Sequence, residues 1–188
     1  MTAIEVAYFE ETGPANTEAV LAIAGKRAEE LGINTIVVAT TSGATGVRAA
    51  QVLRGKNVVA VTHYTGFNAP NEQQLTDANR ARLKELGATV HTATHALGAI
   101  GRAIKRKMET SQADEIVAYT LRLFGQGMKV ACEVAAMAAD AGLARTDEEV
   151  IAIAGTSSGA DTAIVVQPST VSDFFDLRVK EVLCKPRL

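Results

Sequence analysis

The sequence predicts an α/β protein, a three-layer α/β/α arrangement around a mostly parallel sheet of five or six strands. Three observations carry that reading. Between residues 34 and 154, short β-branched apolar runs alternate with segments of helical periodicity, the pattern of strand–helix–strand units. The runs at 35–39, 58–61 and 150–154 are apolar without alternation, as strands covered on both faces are. Glycines stand where the helical patterns stop, at Gly32, Gly55, Gly87 and Gly142.

Taken in order, residues 4–9 alternate loosely and predict a short edge strand ending at Tyr8 and Phe9. Gly13-Pro14 or Asn16-Thr17 then starts a helix with Val20, Ile23, Ala24, Ala28 and Leu31 on one face. The strand at 35–39 follows, then a helix carrying Val47, Ala50 and Leu53, then the strand at 58–61. A helix over 71–86 faces Leu75, Ala78, Leu83 and Leu86 inward, and 88–92 forms a third strand of this series. The helix at 98–109 turns Ile100, Ala103, Ile104 and Met108 to the protein and Arg102, Lys105 and Arg106 to solvent. Two more helices, 113–124 and the Ala-rich 128–141, precede the strand at 150–154. In the first of them Ile116, Tyr119, Leu123 and Phe124 fall roughly in phase. A strand at 163–166, a helical turn from Ser172 and a last strand at 180–184 complete the chain.

Composition bounds the function. A chain of 188 residues reads as one domain, 1–188, with a full core. A net charge of −2 with 21% charged residues argues against a nucleic-acid binder or a disordered tail. No apolar run approaches the roughly 20 residues that span a bilayer. Residues 1–5 lack the basic and apolar regions of a leader, so a cytoplasmic protein without membrane partners is expected. Cys132 and Cys184 have neither a disulfide framework nor metal-ligand spacing, and no metal site is expected. On an Ala-rich helix Cys132 reads as a small core residue.

Chemistry concentrates after the strand at 35–39. There the chain reads Thr40-Thr41-Ser42-Gly43-Ala44-Thr45-Gly46, four hydroxyls and two glycines at the start of a helix. A helix N-terminus leaves N–H groups unpaired and carries partial positive charge. Gly43 and Gly46 would let the backbone approach an anion, and the hydroxyls would donate to its oxygens, with phosphate the usual guest. Simple capping would need one hydroxyl rather than four. The P-loop and dinucleotide fingerprints are both absent.

Strand, T-T-S-G-A-T-G, helix and N-V-V-A-V-T-H together resemble the C-terminal domain of pyruvate kinases, where such a loop holds a phosphate of the sugar bisphosphate activator. Further segments extend the likeness along most of the chain: Y-F-E-E-T-G-P-A-N-T, T-H-Y-T-G-F, L-F-G-Q-G-M-K-V, G-A-D-T-A and F-F-D-L-R-V-K-E-V-L-C-K-P-R. They are similar to a family of stand-alone proteins built on that domain, mostly archaeal and bacterial. That family implies a bound flavin mononucleotide (FMN) and no established reaction. The resemblance does not extend to the catalytic barrel of pyruvate kinase.

The resemblance implies that 35–39 lies centrally, flanked by 58–61 and 150–154, with 163–166 antiparallel at the far side. Winding then reverses between the first and fourth strands of the series, and ligands bind at such a switch point. The second hydroxyl-rich stretch, 155–162, would form a hairpin turn facing the first loop. The expected phosphate site comprises Thr40, Thr41, Ser42, Gly43, Thr45 and Gly46, with Ser158, Gly159, Ala160, Asp161 and Thr162 closing over the ligand. Thr62 and His63, after the second strand, and Asn16, at the first helix start, complete the expected site. Phe67, Tyr64 or Phe9 would pack on a ring, and Arg102 could swing toward a phosphate. His63 and His95 are candidates for binding or a structural role rather than proton transfer.

The expected function is binding of a phosphorylated small molecule, FMN first. Two alternatives stand beside it. One is a flavin-dependent oxidoreductase, or an enzyme acting on a phosphorylated metabolite; the other is a sugar-phosphate-sensing module. A homo-oligomer is compatible with all three.

Overall fold

A computed structural model describes residues 5–187, so the expected start of the edge strand at residue 4 and most of residues 1–5 lie outside the described residues. Among the described residues the chain folds as β1 (Ala7–Phe9), α1 (Thr17–Leu31), β2 (Thr35–Ala39), α2 (Ala44–Val52) and β3 (Asn57–Thr62). It continues as α3 (Asp77–Glu85), β4 (Thr89–Thr92), α4 (Ile100–Met108), α5 (Ala113–Arg122) and α6 (Gln126–Asp140). The hairpin β5 (Val150–Ala154) and β6 (Thr162–Gln167), then β7 (Arg178–Pro186), finish it.

One sheet holds all seven strands in the order β1-β7-β6-β5-β2-β3-β4. The five from β4 to β6 follow the expected order, β2 pairing in parallel with both β3 and β5, and β6 antiparallel to β5. The sheet is wider than the five or six strands expected. β7 is nine residues long and pairs along β6, and β1 then adds in parallel to its far end.

The fully apolar strands carry two cores, because alternate residues point to opposite faces. Ile36, Val38, Ile151 and Ile153 meet Val20, Leu21 and Ala24 of α1 and Ala49 of α2 on one side. Val37, Val59, Ala152 and Ile164 meet Ala131, Val134, Ala135 and Ala138 of α6 on the other. These are the three expected layers. The small residues of α6 suit a helix buried on nearly all sides.

Three helices depart from the expectation. α3 starts at Asp77, not 71, where Thr76 caps it by accepting from Asn79 N at 3.2 Å. The residues before it are committed elsewhere, Gln73 and Gln74 hydrogen bonding to His63. The apolar faces assigned to 98–109 and 113–124 do not all reach the core, since Ile100, Met108, Ile116, Tyr119, Leu123 and Phe124 are exposed. α4 leans on α5, and α5 on α6, so neither lies on the sheet. Periodicity reports a face and not what covers it.

Candidate functional site

The winding reverses between β2 and β5, and the loops after them open on one cleft of about 560 Å³. Its walls come from the loop and first turn of α2, the residues after β3, the turn after β5, and the outer helices α4 to α6.

The first wall is the hydroxyl-rich loop. α2 begins at Ala44, so Thr45 and Gly46 belong to its first turn. Thr40 is buried and accepts from Gly46 N at 3.2 Å, acting as an internal cap. Ser42 Oγ accepts weakly from Ala44 N at 3.4 Å. Thr41 and Thr45 line the cleft, and among the described residues their hydroxyls have no protein partner. Two hydroxyls, those of Thr40 and Ser42, therefore serve the helix start, and the two of Thr41 and Thr45 are free for a ligand.

The glycines have a different task from the one expected. Gly43 holds φ at 95°, and a Cβ there would lie 2.5 Å from Leu75 Cδ1 and 2.6 Å from Asn79 Cβ. A Cβ on Gly46 would meet Thr40, Ala60 and Leu83 at 3.1 to 3.4 Å. Both positions let α2 close on α3 and the sheet. Gly43 and Gly46 thus shape the loop from behind, and their missing side chains do not face the cleft.

The turn after β5 divides in two. Gly155, Ser157, Ser158 and Gly159 line the cleft. Ala160, Asp161 and Thr162 are buried beneath it and cannot close over a ligand. Asp161 accepts from Gly13 N at 2.9 Å, Thr156 N at 3.0 Å and Thr162 Oγ1 at 2.8 Å, so its carboxylate holds the turn. It sits against Gly127 in the first turn of α6, where the helix dipole favours an anion. Asn16 also falls outside the cleft lining, its side chain donating to Glu11 O at 2.8 Å. Its neighbour Thr17 accepts from Ala160 N at 3.0 Å, because the start of α1 backs the turn. Phe9 packs on the core and is not available to a ring.

Thr62, His63 and Phe67 form the third wall. Thr62 Oγ1 is buried 2.6 Å from Thr92 Oγ1, so its hydroxyl ties β3 to β4. His63 Nδ1 lies 2.7 Å from Gln74 Oε1, which orients the ring. The rings of His63 and Phe67 lie 4.1 Å apart, and His95 stands 4.9 Å from His63 and 5.1 Å from Phe67. Tyr64 completes the group, 5.5 Å from Phe67. Arg102 caps it, its guanidinium 4.9 Å from the Phe67 ring centre.

The fourth wall was not anticipated. Arg122, Gln126, Lys129 and Glu133 face the cleft from α5 and α6. Lys129 and Glu133 are both buried and pair one turn apart, and Glu133 also accepts from Leu97 N at 2.9 Å. Burial pushes the Lys129 ammonium below its usual range, while Glu133 pulls it back up and Arg122 and Arg102 add to the depression. Burial likewise lowers the His95 pKa to about 4, keeping that ring neutral near pH 7. The available signal was a Lys and a Glu at i, i+4 inside a run of alanines, since such a helix buries charge only when it is paired.

Cys132 lies outside the cleft lining, and burial pushes its thiol up to about 12. Among the described residues no group of three or more His, Cys, Asp and Glu side chains is placed to hold a metal ion. No described helix is long and apolar enough to cross a membrane.

The cleft thus offers free hydroxyls at a helix N-terminus, a cluster of aromatic rings, and three cations against one carboxylate. This arrangement suits a small anionic ligand with a planar part. The family model described as pyruvate kinase, alpha/beta domain, matches residues 18–166. A pyruvate kinase from Cryptosporidium parvum is similar at 16% identity, over 81% of this chain and 23% of that one, with a TM-score of 0.41. The NH3-dependent NAD synthetase from Campylobacter jejuni, solved with the nitrate ion, is 15% identical over 72% of this chain and 54% of that one, with a TM-score of 0.35. The chain spans less than a quarter of the pyruvate kinase it matches.

Proposed function

This chain belongs to the pyruvate kinase alpha/beta domain family, and from that premise we propose that its cleft binds a phosphorylated small molecule, with FMN the leading ligand. The carrying observation is the pair of hydroxyls on Thr41, just before α2, and Thr45, in its first turn, which have no protein partner among the described residues and face a cleft with excess positive charge. Hydrogen bonds to a charged oxygen contribute roughly 1.5–3 kcal/mol each. Two of them, with the Thr45 N–H, the one of the first turn that neither Thr40 nor Ser42 takes, would hold a phosphate without a P-loop lysine.

FMN fits the groups present. The hydroxyl wall would take its phosphate, and the rings of His63, Phe67 and His95 offer a surface for an isoalloxazine. The volume of about 560 Å³ falls within the roughly 300–1,000 Å³ typical of small-molecule sites. When bound, the flavin would supply hydride or single-electron chemistry. A flavin-dependent oxidoreductase and a sugar-phosphate sensor would use this same cleft. Reduction of bound flavin by a nicotinamide cofactor would favour the first, and obligate association with an enzyme the second.

Mass spectrometry of the small molecule released on denaturing freshly purified protein tests the reading. Release of FMN or another phosphorylated compound is expected. A stoichiometric ligand without a phosphate would overturn it.

A further inference from the structure

The outer face of α5 is uncharged. It presents Ile116, Tyr119 and Thr120, and Leu123 and Phe124 follow just beyond its end, all of them exposed. Phe175, from the helical turn Val171–Asp176, and Val179 of β7 are exposed as well. Between α5 and that turn runs an apolar groove of about 340 Å³, whose lining includes Ile116, Thr120, Phe174, Phe175 and Val179. None of these side chains lines the cleft. α5 is 10 residues long, short of what stands alone in water, and it packs on α6 with its inner side only. At about 200 Å² for each large side chain, Ile116, Tyr119, Leu123, Phe124, Phe175 and Val179 together expose about 700 Å², more than the roughly 300–600 Å² of the largest apolar patch on a typical monomer.

We propose that this face is a two-fold interface between two copies of the chain, with Leu123 and Phe175 as its anchors. Area, shape and charge all favour a second copy. The exposed apolar area is close to the roughly 800 Å² that each partner of a standard interface buries. A two-fold contact needs one patch that complements itself, and here projecting side chains stand beside a recess. Leu123 and Phe175 are 81% and 80% exposed, so each reaches well beyond the surface that a partner would meet. The border carries both signs, with Asp173 and Asp176 close in sequence to Arg178 and Lys180, all exposed. A copy turned by the two-fold can set acid against base along such a border. A nucleic acid or a strongly charged partner needs a border of one sign. The net charge of −2 leaves little repulsion between copies.

Sedimentation velocity of the full chain over a dilution series tests the interface. The parent should run at twice the 19.7 kDa of one chain. Leu123→Glu/Phe175→Glu puts four like charges into the contact and should weaken association at least a hundredfold, giving a monomer whose circular dichroism matches the parent. Val52→Glu changes an exposed residue of α2, on the other side of the sheet from α6, and should leave the dimer intact. Hydrogen exchange of the unmodified chain gives a second reading that needs no variant. Amides of residues 113–124 and 171–179 should exchange faster once the protein is diluted below its dissociation midpoint, and those of α1 and α2 at unchanged rates. A monomeric parent overturns the proposal and leaves the face to a different partner. An assembly that the double variant leaves intact, or that Val52→Glu disperses equally, overturns it as well.

Discussion

The Asp161 carboxylate accepts the backbone N–H of Gly13 at 2.9 Å across 148 positions of sequence, binding the turn after β5 to the entry of α1. The same oxygen accepts from Thr156 N at 3.0 Å, and the whole group is buried. Replacement by Ala strands two backbone donors, each costing about 1–3 kcal/mol. Asp161→Ala should therefore lose about 3 kcal/mol or more of stability. A denaturant midpoint within a few tenths of the parent would show that the turn is held by other means.

Gly43 is a packing residue with a left-handed backbone. A Cβ would meet Leu75 and Asn79 well inside contact distance at a φ of 95°, so Gly43→Ala should cost about 2–3 kcal/mol. Gly55 holds φ at 85° with nothing within 4 Å, and Gly55→Ala should cost only the backbone penalty of about 1 kcal/mol. Thermal melts of the two variants check the order, and equal losses would contradict it.

Lys129 and Glu133 form a buried pair on a helix rich in alanine. Glu133→Leu leaves the ammonium uncompensated and should cost about 3–5 kcal/mol. The Lys129→Met/Glu133→Leu double variant should recover most of that loss, less the bond to Leu97 N. A double variant weaker than the single one would show that the pair is a net source of stability.

His95 makes stability depend on pH. Burial lowers its pKa from 6.5 in the unfolded chain to about 4 in the folded one. Between those values the unfolded state binds more protons, so stability rises with pH. The contribution is complete above about pH 6.5 and is lost as pH falls toward 4. The ring is only partly buried, so solvent screening reduces the effect to about 1–2 kcal/mol. His91 shifts in the same direction, again through burial. His95→Gln should flatten the stability curve between pH 4 and 6.5, and an unchanged slope would mean that His95 titrates alike in the folded and unfolded chain.

Much of the fold was legible because buried parallel strands write themselves as unbroken Val, Ile and Ala runs. The loop at 40–46 was legible as well, since four hydroxyls at one helix start exceed what capping requires. What those residues do individually was less so. Thr40, Gly43 and Gly46 serve the loop's own packing, and only the neighbours that α3 and β3 bring near them reveal it. Asp161 reads as a ligand residue in sequence, and its partner Gly13 is too distant for any local pattern to indicate. The α5 and α6 wall was missed for the opposite reason. Lys129 and Glu133 look like an ordinary surface pair at i, i+4 until the helix is placed against the sheet.

The central claim is that the loop and first turn of α2 hold a phosphate. Parallel calorimetric titrations of the purified protein with FMN and with riboflavin isolate that group, because the ring and ribityl chain are common to both. Two charge-assisted hydrogen bonds of about 1.5 kcal/mol each, at roughly 1.4 kcal/mol per tenfold, predict FMN binding at least a hundredfold tighter than riboflavin. Equal affinity for the two, or saturation by riboflavin alone, would contradict the account.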